Sequence, residues 1–577
     1  MSLKPISITS CCLGYKIYRQ PLLTHRNRLL STHASPHLVE SDIVIVGGGP
    51  AGLALANALG SSPSVRQNVS ITLVEGSDLN KIKNWAPPPG TFSNRVSSLT
   101  SASQSFLKET GAWGFVDEKR TCAIDRLNVW DGISDARLEF TAEDLSPETS
   151  GSGMARLTEN LNLQRGILHH LETIPDVRIL DNTKVTSISR DETGRGGWPV
   201  VHLDNNLVLR ARLLVGADGF NSPVRSYAGI PAFGWAYDAQ GIVATMFHPP
   251  RGAYEGPNTT GYQRFLPTGP IAFLPLAPTR SSLVWSTKPN IAAALLACDP
   301  AVLASMINAA FRLPYISIKY LHQRILEAHA AGASITPEEI QQEIRWRECS
   351  HGIDQNSAHA SALVKSTDQL GIPPIGSEFF PPLVAELQPG SAASFPLRYS
   401  HAESYIGGSQ GARTVLVGDA AHTVHPLAGQ GLNLGLADVE CLARCIHTSL
   451  LSGGDIGSYT ALLPYGQERY LVNHTMMSAI DKLHKLYSND MEPIVWARSV
   501  GIEVLNELDS VKAAIMTIAG AQTNSVGKEA PARNFAWDFA GNAVQTLAGA
   551  GKAVEILQGA VWDVVRSSIQ NLPPRKG

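Results

Sequence analysis

The chain has 577 residues, a hydrophobic fraction of 44%, a charged fraction of 17% and a formal net charge of −3. That length calls for two or more packed units around a sizeable core, and the near-neutral balance without a long basic run argues against nucleic acid as a partner. The seven cysteines (Cys11, Cys12, Cys122, Cys298, Cys349, Cys441, Cys445) form no CxxC pair, which leaves a zinc site or disulfide framework unsupported and fits a reducing compartment.

Residues 1–39 carry Lys4, Lys16, Arg19, Arg26 and Arg28, many Ser and Thr, and no acid. Basic, hydroxyl-rich and acid-free is the composition of a mitochondrial transit peptide. The folded part is expected to begin at Asp42. Residues 42–46 (DIVIV) form a β-branched run ending in Gly47-Gly48-Gly49, an Ala/Leu-rich helical stretch continues to Leu59, and residues 70–75 (SITLVE) read as the next parallel strand. This is βαβ order. Leucines and isoleucines at spacings of three and four predict a helix over 156–171, with strands at 177–180 and 212–217 to follow.

Between about 235 and 290 the pattern changes to strands separated by turns (GIVATMF, RFLP, IAFLPL, SLVWST), as in an antiparallel sheet walling a chamber. Residues 350–392 are rich in Pro, Gly and Ser and read as a long insertion or mobile connection. Residues 412–418 are again a buried strand, followed by a helix over 431–451 and further helices to about 520. A last helical candidate, 553–569, places Val554, Leu557, Val561, Val564, Val565 and Ile569 near one side; it suits an in-plane membrane helix or packing on the main body. No stretch of 18 apolar residues is present, so a spanning helix is not expected.

Two segments carry the chemistry. Gly47-x-Gly49-x-x-Gly52 follows a strand and opens a helix, with Glu75 ending the next strand. Glycines there permit a tight turn and close approach to a pyrophosphate, the helix start offers free N–H groups, and Glu75 is placed to accept from ribose hydroxyls. This pattern alone does not choose between FAD and NAD. Far along the chain, RTVLVGD ends a second buried strand in Gly418-Asp419, followed by AAHTVHPLAGQGLNLGLADVE. Asp419 suits a sugar-alcohol chain, and Pro426–Asn433 suits a glycine-lined helix start whose N–H groups stabilise negative charge on a reduced flavin ring.

These segments resemble the flavoprotein aromatic hydroxylases over roughly residues 40–520. Gly47–Gly52 is similar to that family's ADP-binding loop. Residues 216–225 (GADGFNSPVR) are similar to its Asp-Gly motif, with Asp218, Gly219, Ser222 and Arg225 in place, and Gly418-Asp419 to its ribityl-binding pair. The resemblance also implies that Arg95 and Gln164 contact the flavin. The family often has Asp where Asn94 stands, so a local salt bridge is expected to be missing. QRFLPTGPIAFLPL (263–276) and VGDAAHTVHPLAGQGLNLG (417–435) are similar to the ubiquinone-biosynthesis ring hydroxylases, especially the mitochondrial branch.

The fold implied is α/β: a Rossmann-like FAD-binding domain, an antiparallel-sheet substrate domain and C-terminal helices. The expected division is 40–230 and 406–520 for the FAD-binding parts, 231–405 for the substrate domain with an insertion near 325–390, and 521–577 for an extension. The activity implied is hydroxylation of a polyprenylated 4-hydroxybenzoate or phenol ortho to its hydroxyl, by FAD and dioxygen through a flavin hydroperoxide. The catalytic surround would be Pro426, Gly429, Gly431, Leu432 and Asn433; FAD would be held by Gly47, Gly49, Gly52, Glu75, Arg95, Gln164, Asp218, Gly219, Gly418 and Asp419. The resemblance further implies peripheral attachment on the matrix side of the inner mitochondrial membrane with other quinone-biosynthesis proteins, and a ferredoxin with its reductase as electron donor. No second glycine fingerprint marks a nicotinamide site; GAGKA (549–553) lacks the spacing and hydroxyl of a phosphate loop.

Three residues keep two readings each. His422 and His425 are either bases for the phenol proton or, the favoured reading, a cap or packing near the helix start. Arg264 is either a cap on a substrate carboxylate or a strand-surface charge. The competing functions are an FAD oxidoreductase without oxygen insertion and a flavin-fold scaffold in a quinone-pathway assembly.

Overall fold

A computed structural model describes residues 37–142, 153–191, 197–251, 256–351, 372 and 380–507. The sequence features at 1–36, 549–553 and 553–569 lie outside these residues, as does most of 350–379.

The first strand, His37–Val46, begins five residues ahead of Asp42. It forms the centre of a seven-stranded sheet. On one side it pairs in parallel with Ile71–Val74, which pairs in turn with Val177–Leu180. On the other it pairs in parallel with Leu207–Gly216. The outer edge of that long strand is shared. Its first half holds the antiparallel hairpin Val185–Arg190/Pro199–Leu203, and its last three residues pair in parallel with Thr414–Leu416. The β-branched run Ile43, Val44, Ile45 is fully buried, as suits a strand with both faces covered. Helices Pro50–Ser61, Asn160–Glu172 and Gly431–Leu451 contribute Leu53, Leu55, Leu163, Ile167, Val439 and Leu442 to the same core.

The predicted helix at 156–171 is shorter than its leucine spacing suggested. Ala155–Glu159 is a strand between Val96–Thr100 and Thr121–Ile124, and the helix begins at Asn160. Leu157, Thr158 and Glu159 are buried by these two neighbours, so tertiary pairing overrides the helical period.

The substrate half is a nine-stranded sheet, antiparallel except where Thr260–Leu266 runs parallel to Arg126–Asp131. Its backbone is the long strand Ala232–Phe247, flanked by Ala393–Ala402 and Arg280–Thr287. Part of the expected 325–390 insertion is regular structure: helices Tyr315–Ala330 and Pro337–Ser350 bury Ile325, Ile340 and Ile344 with Pro300–Arg312 against one face of this sheet. Thr336 and Glu339 close a reciprocal capping box at the second of these helices. His422–Thr423 pairs with Ala393–Ala402, so the chain passes directly from the Gly418 turn into the substrate sheet. Tyr459–Tyr487 and Glu492–Glu507 complete the described chain. Arg498 on the last helix forks onto buried Asp131 at 2.8 and 2.9 Å, tying it to the substrate sheet.

Candidate active site

Three parallel strands deliver their C-terminal ends to one edge. The ladder continues past them: Gly47 N–H donates to Val74 O, Ala217 N–H to Val46 O and Val417 N–H to Gly216 O, at 2.8–2.9 Å. The Gly47–Gly52 turn, the Ala217–Gly219 turn and the Gly418–Asp419 turn therefore sit side by side. Ligands bind at such a carboxyl edge in open α/β sheets because helix starts and free N–H groups gather there.

The glycines show which surfaces touch. Gly47 has φ +109°, and a Cβ on it would lie 2.3 Å from Ala217 O. A Cβ on Gly52 would meet Gly47 O at 1.9 Å. A Cβ on Gly418 (φ +57°) would lie 3.2 Å from the Cβ of Ala51 and 3.9 Å from the Cα of Gly435, so segments more than 350 residues apart (51 and 418) close on each other. Gly49 is different: nothing lies within 4 Å of where its Cβ would be. It caps the Pro50–Ser61 helix without any side-chain cap. Space is thus open beside the start of that helix, whose first N–H groups have no partner within it, the arrangement that receives a phosphate.

The acids around this edge differ in how they are held. Glu75 accepts from Gly48 N–H at 2.5 Å through Oε2, and from Ser77 N–H and Oγ at 2.7 and 2.6 Å through Oε1. A carboxylate has about four acceptor positions, which leaves one on Oε2. Asp218 Oδ2 accepts from Val224 N–H at 3.0 Å, whereas its buried Oδ1 has no hydrogen-bond partner among the described residues. Burial raises the Asp218 pKa, opposed first by the Ser222 hydroxyl and then by the Val224 N–H and Arg225. Asp419 is open to solvent yet closely surrounded by protein, as a side chain in a recess is. Burial raises its pKa, opposed by His422. An orphaned carboxylate oxygen, an uncapped helix start and an acid in a recess fit a molecule with a pyrophosphate and hydroxyl groups.

Arg225 shows what the end of GADGFNSPVR does. Its guanidinium donates to Phe220 O at 2.6 Å and to Ala420 O at 2.7 Å, clasping the second turn to the third. Gln164 reaches Gly48 O at 3.5 Å from the Asn160–Glu172 helix. Arg95 lies beside the start of that helix, where its carbonyl accepts from Asn160 N–H at 3.0 Å; its side chain is exposed. Asn433 sends Nδ2 to Ser98 O at 2.8 Å and receives Ser103 Oγ and Thr100 N–H at 2.9 and 3.1 Å. Its side chain therefore pins the Gly431–Leu451 helix to the Val96–Thr100 strand, and any role toward a ligand falls to its backbone and to Pro426, Gly429 (φ +61°), Gly431 and Leu432 beside it.

His422 and His425 are both buried. His422 Nε2 is hydrogen-bonded to Asp438 Oδ2 at 2.6 Å. His425 Nδ1 accepts from Leu427 N–H at 3.1 Å, capping the short turn Pro426–Ala428. Burial, aided by His484, lowers the His425 pKa to about 3, so the ring is a weak base. Arg264 fits neither of its two sequence readings. It is fully buried and donates to Ala310 O, Leu313 O and Gly132 O, at 2.8, 2.9 and 3.3 Å. It caps the C-terminal end of Pro300–Arg312, and burial lowers its pKa to about 9.

The sequence reading missed the group that holds the third turn. Asp438, fully buried on the Gly431–Leu451 helix, accepts from Gly418 N–H (3.2 Å) and His422 on Oδ2, and from Arg469 Nε and Asn473 Nδ2 (both 2.9 Å) on Oδ1. Burial alone would raise its pKa; His422, Arg469 and Asn473 overcome that and hold it at about 2. The signal was present: a lone acid among Leu434, Val439, Cys441 and Leu442 on an apolar helix face.

The comparisons agree with this geometry. The sequence profile of the FAD binding domain family matches residues 131–331 and 305–479. The mitochondrial ubiquinone biosynthesis monooxygenase COQ6 of Saccharomyces cerevisiae is 35% identical over 87% of this chain and 99% of its own length. The Xenopus tropicalis and Homo sapiens proteins of that name are 36% and 33% identical over 83% of this chain and 93% and 92% of theirs. The chain belongs to the COQ6 family. Solved structures named as monooxygenases share the fold. The p-nitrophenol 4-monooxygenase PnpA of Pseudomonas putida superposes with a TM-score of 0.55 at 18% identity, covering 85% of this chain and all of its own. PqsL, a probable FAD-dependent monooxygenase of Pseudomonas aeruginosa, gives 0.52 at 20%, covering 81% of this chain and all of its own. As a COQ6-family member the chain is an FAD-dependent monooxygenase and mitochondrial. Such an enzyme takes an aromatic substrate and dioxygen. No described helix is long and apolar enough to cross a membrane, and among the described residues no His/Cys/Asp/Glu group could hold a metal ion.

Proposed function

We propose that this enzyme hydroxylates a polyprenylated 4-hydroxybenzoate or phenol ortho to its hydroxyl, working peripherally at the matrix face of the inner mitochondrial membrane. The observation that supports the reading is the meeting of Ala51, Gly418 and Gly435, which brings the Gly47–Gly52 and Gly418–Asp419 segments together at one sheet edge. Gly47, Gly49 and Gly52 with the Pro50–Ser61 helix start would hold the pyrophosphate. Glu75 and the unpartnered Oδ1 of Asp218 with Gly219 would serve hydroxyl groups of the adenosine half, and Gly418-Asp419 the sugar-alcohol chain. Gln164 and Arg95 would border the flavin from the Asn160–Glu172 side.

When bound and reduced, FAD supplies the activation of dioxygen. The chain's part is to orient the ring substrate and exclude water. The N–H groups at the Gly431 helix start stabilise negative charge facing them. His425 stays neutral through the physiological range and orders the Pro426–Gly429 turn instead of taking a proton. A ferredoxin with its reductase is the proposed electron donor, and other quinone-biosynthesis proteins the proposed neighbours.

The test is turnover under labelled dioxygen with a prenylated phenol. One labelled oxygen per hydroxylated product supports the reading. Substrate oxidation without label would identify an oxidoreductase, and bound flavin without turnover a scaffold.

A further inference from the structure

We infer that an amide clamp formed by Asn94 and Gln388 positions Arg95 at the flavin by fixing its segment to the substrate sheet. The inference rests on the FAD reading above and adds positioning residues to it. Phe92–Arg95 precedes the Val96–Thr100 strand in the flavin half. Gln388–Ser391 is the turn between strands Glu386–Leu387 and Ala393–Ala402 of the substrate sheet. The two lie nearly 300 residues apart in sequence and are joined by a dense set of hydrogen bonds.

Gln388 treats Phe92 as a strand partner would. Its Oε1 accepts from Phe92 N–H at 2.9 Å and its Nε2 donates to Phe92 O at 2.8 Å. Asn94 Nδ2 donates to Ser391 O at 2.5 Å. In each case the partner is a backbone group of fixed polarity, so the chemistry decides which end of each amide faces it. Thr245, buried in the long strand Ala232–Phe247, locks the arrangement: its N–H donates to Ser391 Oγ at 3.1 Å and its hydroxyl to Phe92 O at 3.4 Å. Gln388 N–H in turn donates to Thr245 O at 2.8 Å.

The opposite side of the segment is fixed by the flavin half. Fully buried Glu159 accepts from Ser93 N–H at 2.5 Å and is forked by Arg120 at 2.7 and 2.9 Å. Arg95 O accepts from Asn160 N–H. The backbone before Arg95 is therefore held from both halves, while the Arg95 side chain stands exposed, with no ion pair among the described residues to direct it. Where a carboxylate at position 94 would offer a charge to the arginine, the amide of Asn94 offers a donor to Ser391 O, which an ionised carboxylate lacks. The departure from Asp at this position is thus not a missing contact but a different one. It makes the aim of Arg95 depend on the position of the substrate sheet.

The test is a double-mutant cycle on the full-length protein, reading the FAD dissociation constant by flavin fluorescence. N94A and Q388A are each expected to weaken FAD binding about five- to tenfold, because each leaves buried backbone groups without a partner and frees the segment. N94D is expected to weaken it as well, since its carboxylate faces the Ser391 carbonyl. In an R95A background N94A and Q388A should cost less than about twofold, because the group they position is gone. Full additivity with R95A overturns the inference, as does N94D binding FAD as tightly as the native chain, or variants that lower only the melting temperature. Failure of the native protein to bind FAD would remove the underlying site reading as well; native binding with additive variants removes the clamp alone.

Discussion

Replacing Asp438 with Asn tests how the Gly418–Asp419 turn is held. Four donors converge on this carboxylate: Gly418 N–H, His422 Nε2, Arg469 Nε and Asn473 Nδ2, between 2.6 and 3.2 Å. An amide has one oxygen, so its NH2 must face donors on one side, and Arg469, 7% exposed, loses its only carboxylate partner among the described residues. Breaking a buried ion pair on one side costs about 3–5 kcal/mol. At roughly 1 °C per kcal/mol for a chain of this size, the apparent melting temperature of D438N should fall by about 3–5 °C. Thermal unfolding followed by circular dichroism, with and without added FAD, measures this. The double variant D438N/R469M removes the stranded cation and should recover part of the loss. The native carboxyl, held at about 2, adds a pH dependence: its contribution is complete above about pH 4 and is lost as pH falls through about 2, so D438N should flatten the acid limb. A fall of less than about 1 °C, with an unchanged acid limb, would refute the account of this network.

Three further outcomes follow from the site. G47A should abolish FAD binding and destabilise the fold, because φ +109° and a Cβ contact of 2.3 Å with Ala217 O are both forbidden, whereas G49A should keep the native melting temperature yet bind FAD at least tenfold more weakly; ultraviolet–visible flavin content and calorimetry separate the two. R264M should lower stability by about 2–4 kcal/mol in denaturant titrations by orphaning Ala310 O, Leu313 O and Gly132 O, while the KM of whatever enzyme folds stays near native. H425Q should retain most of kcat, and the native pH–rate profile should show no base titrating between pH 5 and 8 from this residue, whose pKa near 3 leaves it neutral there; a profile whose alkaline-rising limb disappears in H425Q would assign it a proton-transfer role.

Much of the sheet's carboxyl edge was legible because glycine spacing, strand composition and a terminal acid are local properties. DIVIV-GGG, GADG and VGD each announce a strand ending in a turn, and all three do end at one edge. What lay outside local reach was pairing. Nothing in RLTE distinguishes a helix start from the strand that Val96–Thr100 and Thr121–Ile124 make of it. The hairpin 185–203 lies within the interval before the 212–217 strand, and its half-exposed residues carry a weak alternation. Arg264 looked like a surface or ligand charge because burial of a guanidinium depends on carbonyls more than 40 residues away. The Asp438–Arg469–Asn473 group shows the reverse case: the i, i+4 placement of Arg469 and Asn473 and the acid on an apolar helix stripe were visible, but their partners were not.

The divided edge of strand Leu207–Gly216 orders events during synthesis. Its last three residues wait for Thr414–Leu416, and the turn that those residues carry leaves the ribosome only after the whole nine-stranded sheet has been translated apart from its final two-residue strand at His422–Thr423. An emerging chain cut before residue 413 has the first glycine turn and its helix, but neither the Asp419 recess nor the Gly435 face that closes on Ala51. On the site proposed above, cofactor uptake is therefore a late step, open only to a chain whose substrate half has already been made.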